Sequence, residues 1–292
     1  MSNTESLPSP NRFSHRLRVR WSEVDMQKIV FNAHYLAYFD VAIAEYWRAL
    51  AMPYEATMQQ LQGDIYLKKA TVEYHASARV DDIIDITLRC AHIGRSSLRF
   101  DGQVLRDGRL LTSGELLYVY ADPKTQTSQA VPDTLRGLIN DYEAGEPVLN
   151  ISLGDWATLG ADASSVREQV FVQEQGIPKE MEWDEADAQS EVIHALARNR
   201  LGHALATGRL LQHAPGVGRI GRMAVLQPLR GTGLGEEVLE ALVQASAKRG
   251  DLEVLLHAQL SAEGFYRQAG FTPRGEVFTE AGIGHQEMFR VL

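Results

Sequence analysis

The chain has 292 residues, about twice the length one hydrophobic core favours, and so is expected to hold two domains. Apolar residues at 45% and charged residues at 23% exclude a disordered, collagen-like or low-complexity chain. A formal net charge of −9, from 29 Lys and Arg against 38 Asp and Glu, gives no general field toward phosphate backbones or anionic membranes, so no nucleic-acid and no membrane partner is expected.

Residues 1–12, rich in Ser, Pro and Asn, read as a disordered lead-in without the basic patch and apolar stretch of a signal peptide. No apolar run approaches the ~18 residues of a membrane span. Cys90 is the single cysteine, which excludes an intrachain disulfide, a cysteine zinc cluster and a CxxC motif. A cytoplasmic location is expected.

Phe13, Leu17, Val19 and Trp21 alternate with Ser14, Arg16, Arg18 and Arg20, the period of a half-buried strand. Tyr35, Phe39, Ala42, Ile43, Tyr46, Trp47 and Leu50 then recur at helical spacing, and Pro53 ends the stripe. Extended stretches at 63–76, 82–93, 96–107 and 110–121 follow, with turns at Asp81-Asp82, Gly94 and Asp107-Gly108. One long helix with an antiparallel sheet is implied over residues 13–140. The polar run from Asn140 to Pro147 reads as a linker, placed at 141–149.

The second half, 150–292, predicts a helix near 163–174, strands near 191–198, 203–211 and 219–226, a helix over 234–249, a strand over 252–258 and a short helix over 262–269. That alternating order reads as an α/β domain, so the fold class is α+β in two unrelated domains.

Asp25 stands just ahead of the first helix, whose leading N–H groups have no intrahelical partner. Such groups can polarise a carbonyl oxygen while a carboxylate attacks the carbon or activates water; the same placement also serves a helix cap or a solvated loop. The run from Arg20 to Phe39, with Asp25, Val30, Tyr35 and Phe39 at their spacing, resembles the signature of hotdog-fold acyl-CoA thioesterases of the 4-hydroxybenzoyl-CoA thioesterase family, as do Ala78 to Asp82 and Gly94 to Leu98. The resemblance implies a hotdog fold with acyl-CoA as substrate. It also implies Asp25 as nucleophile or general base, the amide at Asn32 in the oxyanion site, and a homo-oligomer formed through this domain. Lys28 stands where many relatives have Gly, and His34 where they often have Asn; Arg95 and Ser96 are either coenzyme A contacts or an ordinary hairpin pair.

From Gly221 to Gly235 an apolar strand runs into a glycine-rich turn and an amphipathic helix bearing Val238, Leu239, Leu242 and Val243. Glycines allow positive φ and close approach, and the helix start offers N–H donors to a pyrophosphate. Neither a Rossmann fingerprint nor a P-loop is present. Arg230, Gly233 and Gly235 in the form Arg-x-x-Gly-x-Gly, with Leu255 to Gln259, Gly264 to Phe271 and Arg167 to Gln175, resemble the GNAT acetyltransferases.

This second resemblance implies acetyl-CoA as substrate and direct attack by an amine acceptor, whose identity is unknown. Backbone at Arg230, Gly231, Gly233, Leu234 and Gly235 would hold the pyrophosphate, backbone at Met223 and Val225 would align the pantetheine, and Tyr266 would protonate the thiolate. Tyr266 can also be read as a core tyrosine on an aromatic helix face. Glu174, Glu182, Asp184 and His194 fall in segments that could flank the acceptor, each also readable as structural, and His257 reads as a structural hydrogen-bonding residue. Neither step calls for a metal. The expectation is a bifunctional enzyme of coenzyme A thioesters; the alternative is one catalytic domain beside a CoA-binding regulatory or oligomerisation module.

Overall fold

The computed structural model describes residues 11–280 and 282–292, so most of the expected lead-in lies outside the described residues. Asn11 and Arg12, assigned to that lead-in, are ordered by contacts. Asn11 donates to Thr87 Oγ1 at 3.0 Å, and the Arg12 guanidinium lies 4.3 Å from the Tyr142 ring centroid.

The chain divides after Val148 into two units. The first runs β1 (Phe13–Arg18), α1 (Asn32–Ala49), α2 (Tyr54–Leu61), β2 (Asp64–Tyr74), β3 (Ile83–Ile93), β4 (Ser97–Arg106), β5 (Arg109–Ala121) and α3 (Asp133–Glu143). Its strands form one antiparallel sheet in the order β1-β3-β4-β5-β2. α1 buries Tyr35, Tyr38, Phe39, Ala42, Ile43, Tyr46 and Trp47, the stripe its 3.6-residue period predicts. Register explains how it fits. Gly102 pairs with Gly114 across β4 and β5, and a Cβ at either would fall 2.6 Å or 2.7 Å from the Phe39 ring, so the two glycines form the notch that receives it.

The linker expectation needs correction at its start. Asn140 to Glu143 are the last turn of α3, with Tyr142 buried. The Glu143 carboxylate accepts from Tyr46 Oη at 2.6 Å and from Cys90 N at 2.8 Å, where β3 bulges against β4 and leaves that N–H without a ladder partner. Cys90 is a buried free thiol, which burial, seconded by Glu143, pushes up to about 12.

The second unit runs β6 (Leu149–Gly154), α4 (Trp156–Arg167), a π turn over Glu168–Glu174, α5 (Lys179–Glu182), β7 (Ile193–Asn199), β8 (Ala204–Ala214), β9 (Val217–Val225), α6 (Leu234–Arg249), β10 (Glu253–Gln259), α7 (Glu263–Gln268), β11 (Thr272–Glu280) and β12 (Ile283–Val291). The helix expected at 163–174 begins earlier because Asp155 caps it, its carboxylate accepting from Thr158 N at 2.9 Å. The sheet order is β11-β12-β10-β9-β8-β7-β6. Among the described residues β9 and β10 are its one parallel pair, so the alternating order read from sequence resolves into a largely antiparallel sheet with α6 as the crossover.

Candidate active sites

In the first unit, Asp25 occupies a tight turn between Val24 and Val30, which bridge each other. Its N–H donates to Ile29 O at 2.9 Å, its carbonyl accepts from Lys28 N at 2.9 Å, and its Oδ1 accepts from Gln27 N at 2.8 Å. The second carboxylate oxygen has no protein donor among the described residues. Lys28 closes the turn at φ +62, in the left-handed region that glycine enters without steric cost. The lysine here thus holds a backbone conformation that glycine favours, and it closes the turn.

Glu23, which sequence reasoning passed over, ties this turn to the helix. Its carboxylate accepts from Arg20 N at 2.7 Å and from Tyr38 Oη at 2.8 Å, while its carbonyl accepts from Phe31 N at 2.9 Å. The quoted motif residues meet at Ala78, which donates from N to Tyr35 Oη at 2.9 Å and accepts at O from Val30 N at 2.9 Å. Asn32 is the exposed first residue of α1, and neither its N–H nor that of Ala33 has a protein acceptor among the described residues. Trp21, Met26 and Phe31 around this loop are exposed apolar side chains. His34 packs edge-on against Phe31. Arg95 and Ser96 form the β3–β4 hairpin, with Arg95 exposed and its carbonyl accepting from Val131 N at 2.8 Å.

In the second unit, pairing of β10 with β9 runs from Glu253 opposite Val217 to Leu256 opposite Ile220 and stops there. Gly221 to Val225 thus lie along β8 on one side and have no β10 partner on the other. Val225 leads through a 3-10 turn at Gln227–Leu229 into Gly231 at φ +82 and Gly233 at φ +89, and α6 begins at the buried Leu234. The N–H groups from Gly231 to Gly235 have no protein acceptor among the described residues, so they form one unbroken donor row at the positive end of a 16-residue helix. The Arg230 N–H is already used, donating to Gln227 O at 3.3 Å.

Beside this row, a Cβ on Gly235 would lie 3.4 Å from Val225 and 3.6 Å from Phe265, so β9, the turn and α7 converge there. Met223 lies over Gly208, where a Cβ would fall 2.5 Å from its sulfur. Tyr266 follows Phe265, is 8% exposed, and has no hydrogen-bond partner for its hydroxyl among the described residues; burial pushes its phenol up to about 12.

Other acidic candidates are engaged elsewhere. Glu174 binds Arg230 through both oxygens at 2.6 Å. Glu182 and Asp184 join a closed ring of charges that sequence spacing does not reveal. Arg167 meets Glu182 and, at 2.9 Å, Asp187; Arg209 meets Asp187 at 2.7 Å and Asp184 at 2.6 Å; Arg222 lies 3.3 Å from Asp184 and 3.5 Å from Glu182. Burial raises the Glu182 carboxyl, opposed by Arg167. Burial works the same way on Asp184, but bonds from Arg209 and the charge of Arg222 outweigh it and hold the group below its ordinary value. His194 sits beneath the ring with Nε2 3.0 Å from Asp187 O, and burial lowers its pKa. His257 is the first β10 residue beyond the last β9 pair, 3.0 Å from Arg219 Nη2 and within 3.5 Å of Glu280.

A sheet folded about one long helix, followed by a sheet parted beside a glycine-rich donor row, defines a two-domain α+β protein of thioesterase-like and acetyltransferase architecture. Residues 19–139 match the Thioesterase-like superfamily and residues 160–292 the Acetyltransferase (GNAT) domain. The chain is 36% identical over 130 residues to the uncharacterized N-acetyltransferase YjcF of Bacillus subtilis, covering 44% of this chain and 90% of that one. It is 29% identical over 124 residues to the acyl-CoA thioester hydrolase YbgC of Escherichia coli, covering 42% of this chain and 92% of that one. An acyl-CoA N-acyltransferase structure from Pseudomonas aeruginosa is 32% identical, with a TM-score of 0.45 over 49% of this chain and 99% of that one. The chain belongs to the GNAT acetyltransferases through its second half and carries a thioesterase-like hotdog domain in its first.

Proposed function

We propose that the protein is a bifunctional enzyme of coenzyme A thioesters, hydrolysing an acyl-CoA in residues 13–140 and transferring acetyl from acetyl-CoA to an amine in residues 150–292. The observation that carries the reading is the donor row Gly231 to Gly235 beside the unpaired stretch of β9. A pyrophosphate would accept from Gly231, Thr232, Gly233, Leu234 and Gly235, with the positive helix end adding to the attraction. The pantetheine amides would take the place of β10, pairing with the backbone of Met223 and Val225.

Acetyl transfer then proceeds by attack of the amine nitrogen on the thioester carbon and cleavage of the C–S bond. The Tyr266 hydroxyl donates its proton to the departing thiolate, and the nitrogen loses its proton to solvent. In the first unit the Asp25 carboxylate either attacks the acyl carbon, giving a mixed anhydride that water then hydrolyses to the free acid, or takes a proton from the water that itself attacks that carbon. The free N–H at Asn32 polarises the carbonyl oxygen, and the CoA thiolate leaves with a proton from solvent.

The exposed edge strand β2 and the uncovered Trp21, Met26 and Phe31 support a homo-oligomer built through the hotdog domain. The unpaired Cys90 is in keeping with a cytoplasmic setting. The second reading keeps one domain catalytic and makes the other a CoA-binding regulatory or oligomerisation module; the formed Asp25 turn, closed by Lys28, is compatible with either.

Equilibrium dialysis with saturating CoA tests the two CoA sites, and thiol release in the native chain, Asp25→Asn and Tyr266→Phe tests turnover at each. The expected result is two equivalents per chain, falling to one in Gly233→Val, whose branched side chain cannot hold φ +89. One equivalent in the native chain would contradict it.

A further inference from the structure

We propose that Arg222 holds open the slot between β9 and β10, and that Glu182 and Asp184 do so through it by clamping its guanidinium. This rests on reading the slot as the acetyl-CoA site. Arg222 has φ +53, a conformation that costs a non-glycine residue energy and persists only where the surroundings impose it. It sits where β9 bulges against β8: Thr207 pairs with Ala224 and Arg209 with Gly221, so Arg222 and Met223 oppose the single residue Gly208. The last β9 residue paired with β10 is Ile220, two positions before. The strand therefore leaves β10 two residues before the position where its backbone is strained.

The side chain shows what maintains the strain. Arg222 Nη2 lies 3.3 Å from Asp184 Oδ2 and 3.4 Å from Met181 O, and Nε lies 3.5 Å from Glu182 Oε2. Its Nε is buried without a hydrogen-bond partner, so charge attraction rather than ideal hydrogen bonding places it. The clamp is fixed from behind. Arg167, 1% exposed, holds Glu182 at both its carboxylate and its carbonyl and also binds Asp187, and Arg209 holds Asp184 and Asp187. With those carboxylates immobile, the residue that yields is Arg222. Arg222 is thus a positioning residue, and the ring is the frame it pulls against.

Replacing Arg222 by Ala removes the clamp and keeps the strain, whereas replacing it by Gly removes both. Two readouts are compared: acetyl-CoA affinity by calorimetry, and ligand-free hydrogen exchange of the Gly221 to Val225 amides. Arg222→Ala is expected to weaken acetyl-CoA binding about 5-fold, equivalent to about 1 kcal/mol, and to slow exchange as the strand closes. Arg222→Gly is expected to recover most of both. Equal losses in the Ala and Gly variants, or no change in either, would overturn the proposal. If the native chain binds no acetyl-CoA at this turn, the functional reading falls while the exchange contrast still decides whether Arg222 opens the strand. Should Arg222→Ala fail to fold by circular dichroism, Asp184→Asn with and without Arg222→Gly gives the same contrast, with the same outcomes for and against.

Discussion

Arg230 and Glu174 are joined by two hydrogen bonds of 2.6 Å, and Arg230 Nε donates on to Val225 O at 3.1 Å. The pair links the π turn, the end of β9 and the glycine turn, so the Arg of the Arg-x-x-Gly-x-Gly motif acts in this structure as a strut. Both side chains are partly exposed. Glu174→Gln is therefore expected to cost less than about 1 kcal/mol in a denaturant titration, while acetyl-CoA binding weakens as the turn loosens. An unchanged affinity would mean the strut has no part in shaping the turn.

Lys28 at φ +62 predicts the opposite sign of effect. Lys28→Gly should stabilise the first unit by roughly 1 kcal/mol through relief of the left-handed conformation, less what glycine adds to the freedom of the unfolded chain. Urea unfolding measures it. Hydrolysis should survive, because the Asp25 turn is the same in both.

The buried ring predicts a large loss. Arg167→Met leaves Glu182 and Asp187 without their inner partner, and breaking a buried pair in this way costs about 3–5 kcal/mol. The same region should weaken in acid. His194 has its pKa lowered by burial, so its contribution is present above the unfolded value near 6.5 and is lost as pH falls below it. Thermal unfolding of the second unit should drop below about pH 6.5, and His194→Gln should flatten that dependence.

Tyr266 predicts a pH profile. Its phenol, pushed up to about 12 by burial, keeps its proton where an ordinary tyrosine near 10 would lose it. Acetyl transfer should therefore not decline between about pH 9 and pH 11 through this group. Tyr266→Phe should lower kcat by about 100-fold with little change in the acetyl-CoA KM.

The sequence reading succeeded where periodicity is local. The α1 stripe through Phe39 and Tyr46 is visible in one helix, and the strand before the glycine turn is visible from its apolar run. It failed where partners are distant. The notch for Phe39 needs Gly102 and Gly114 brought opposite each other by register, and the charge ring joins Arg167 to Arg222 across distant elements of the chain. Two misses had signals. Leu135, Leu138, Ile139 and Tyr142 carry the helical spacing of α3 beneath the polar residues that suggested a linker, and Asp155 three residues before Thr158 marks the start of α4. The parallel pairing of β9 and β10 depends on the α6 crossover and left no mark in either strand.

The central claim, two separate reactions in one chain, is tested most directly by thiol release from short, long and aromatic acyl-CoA esters without an amine, and from acetyl-CoA with amine acceptors, in the native chain, Asp25→Asn and Tyr266→Phe. The account predicts that Asp25→Asn abolishes acceptor-independent hydrolysis and spares amine-dependent release, and that Tyr266→Phe lowers amine-dependent release about 100-fold and spares hydrolysis. Loss of both activities in either variant, or hydrolysis that persists in Asp25→Asn, would contradict it.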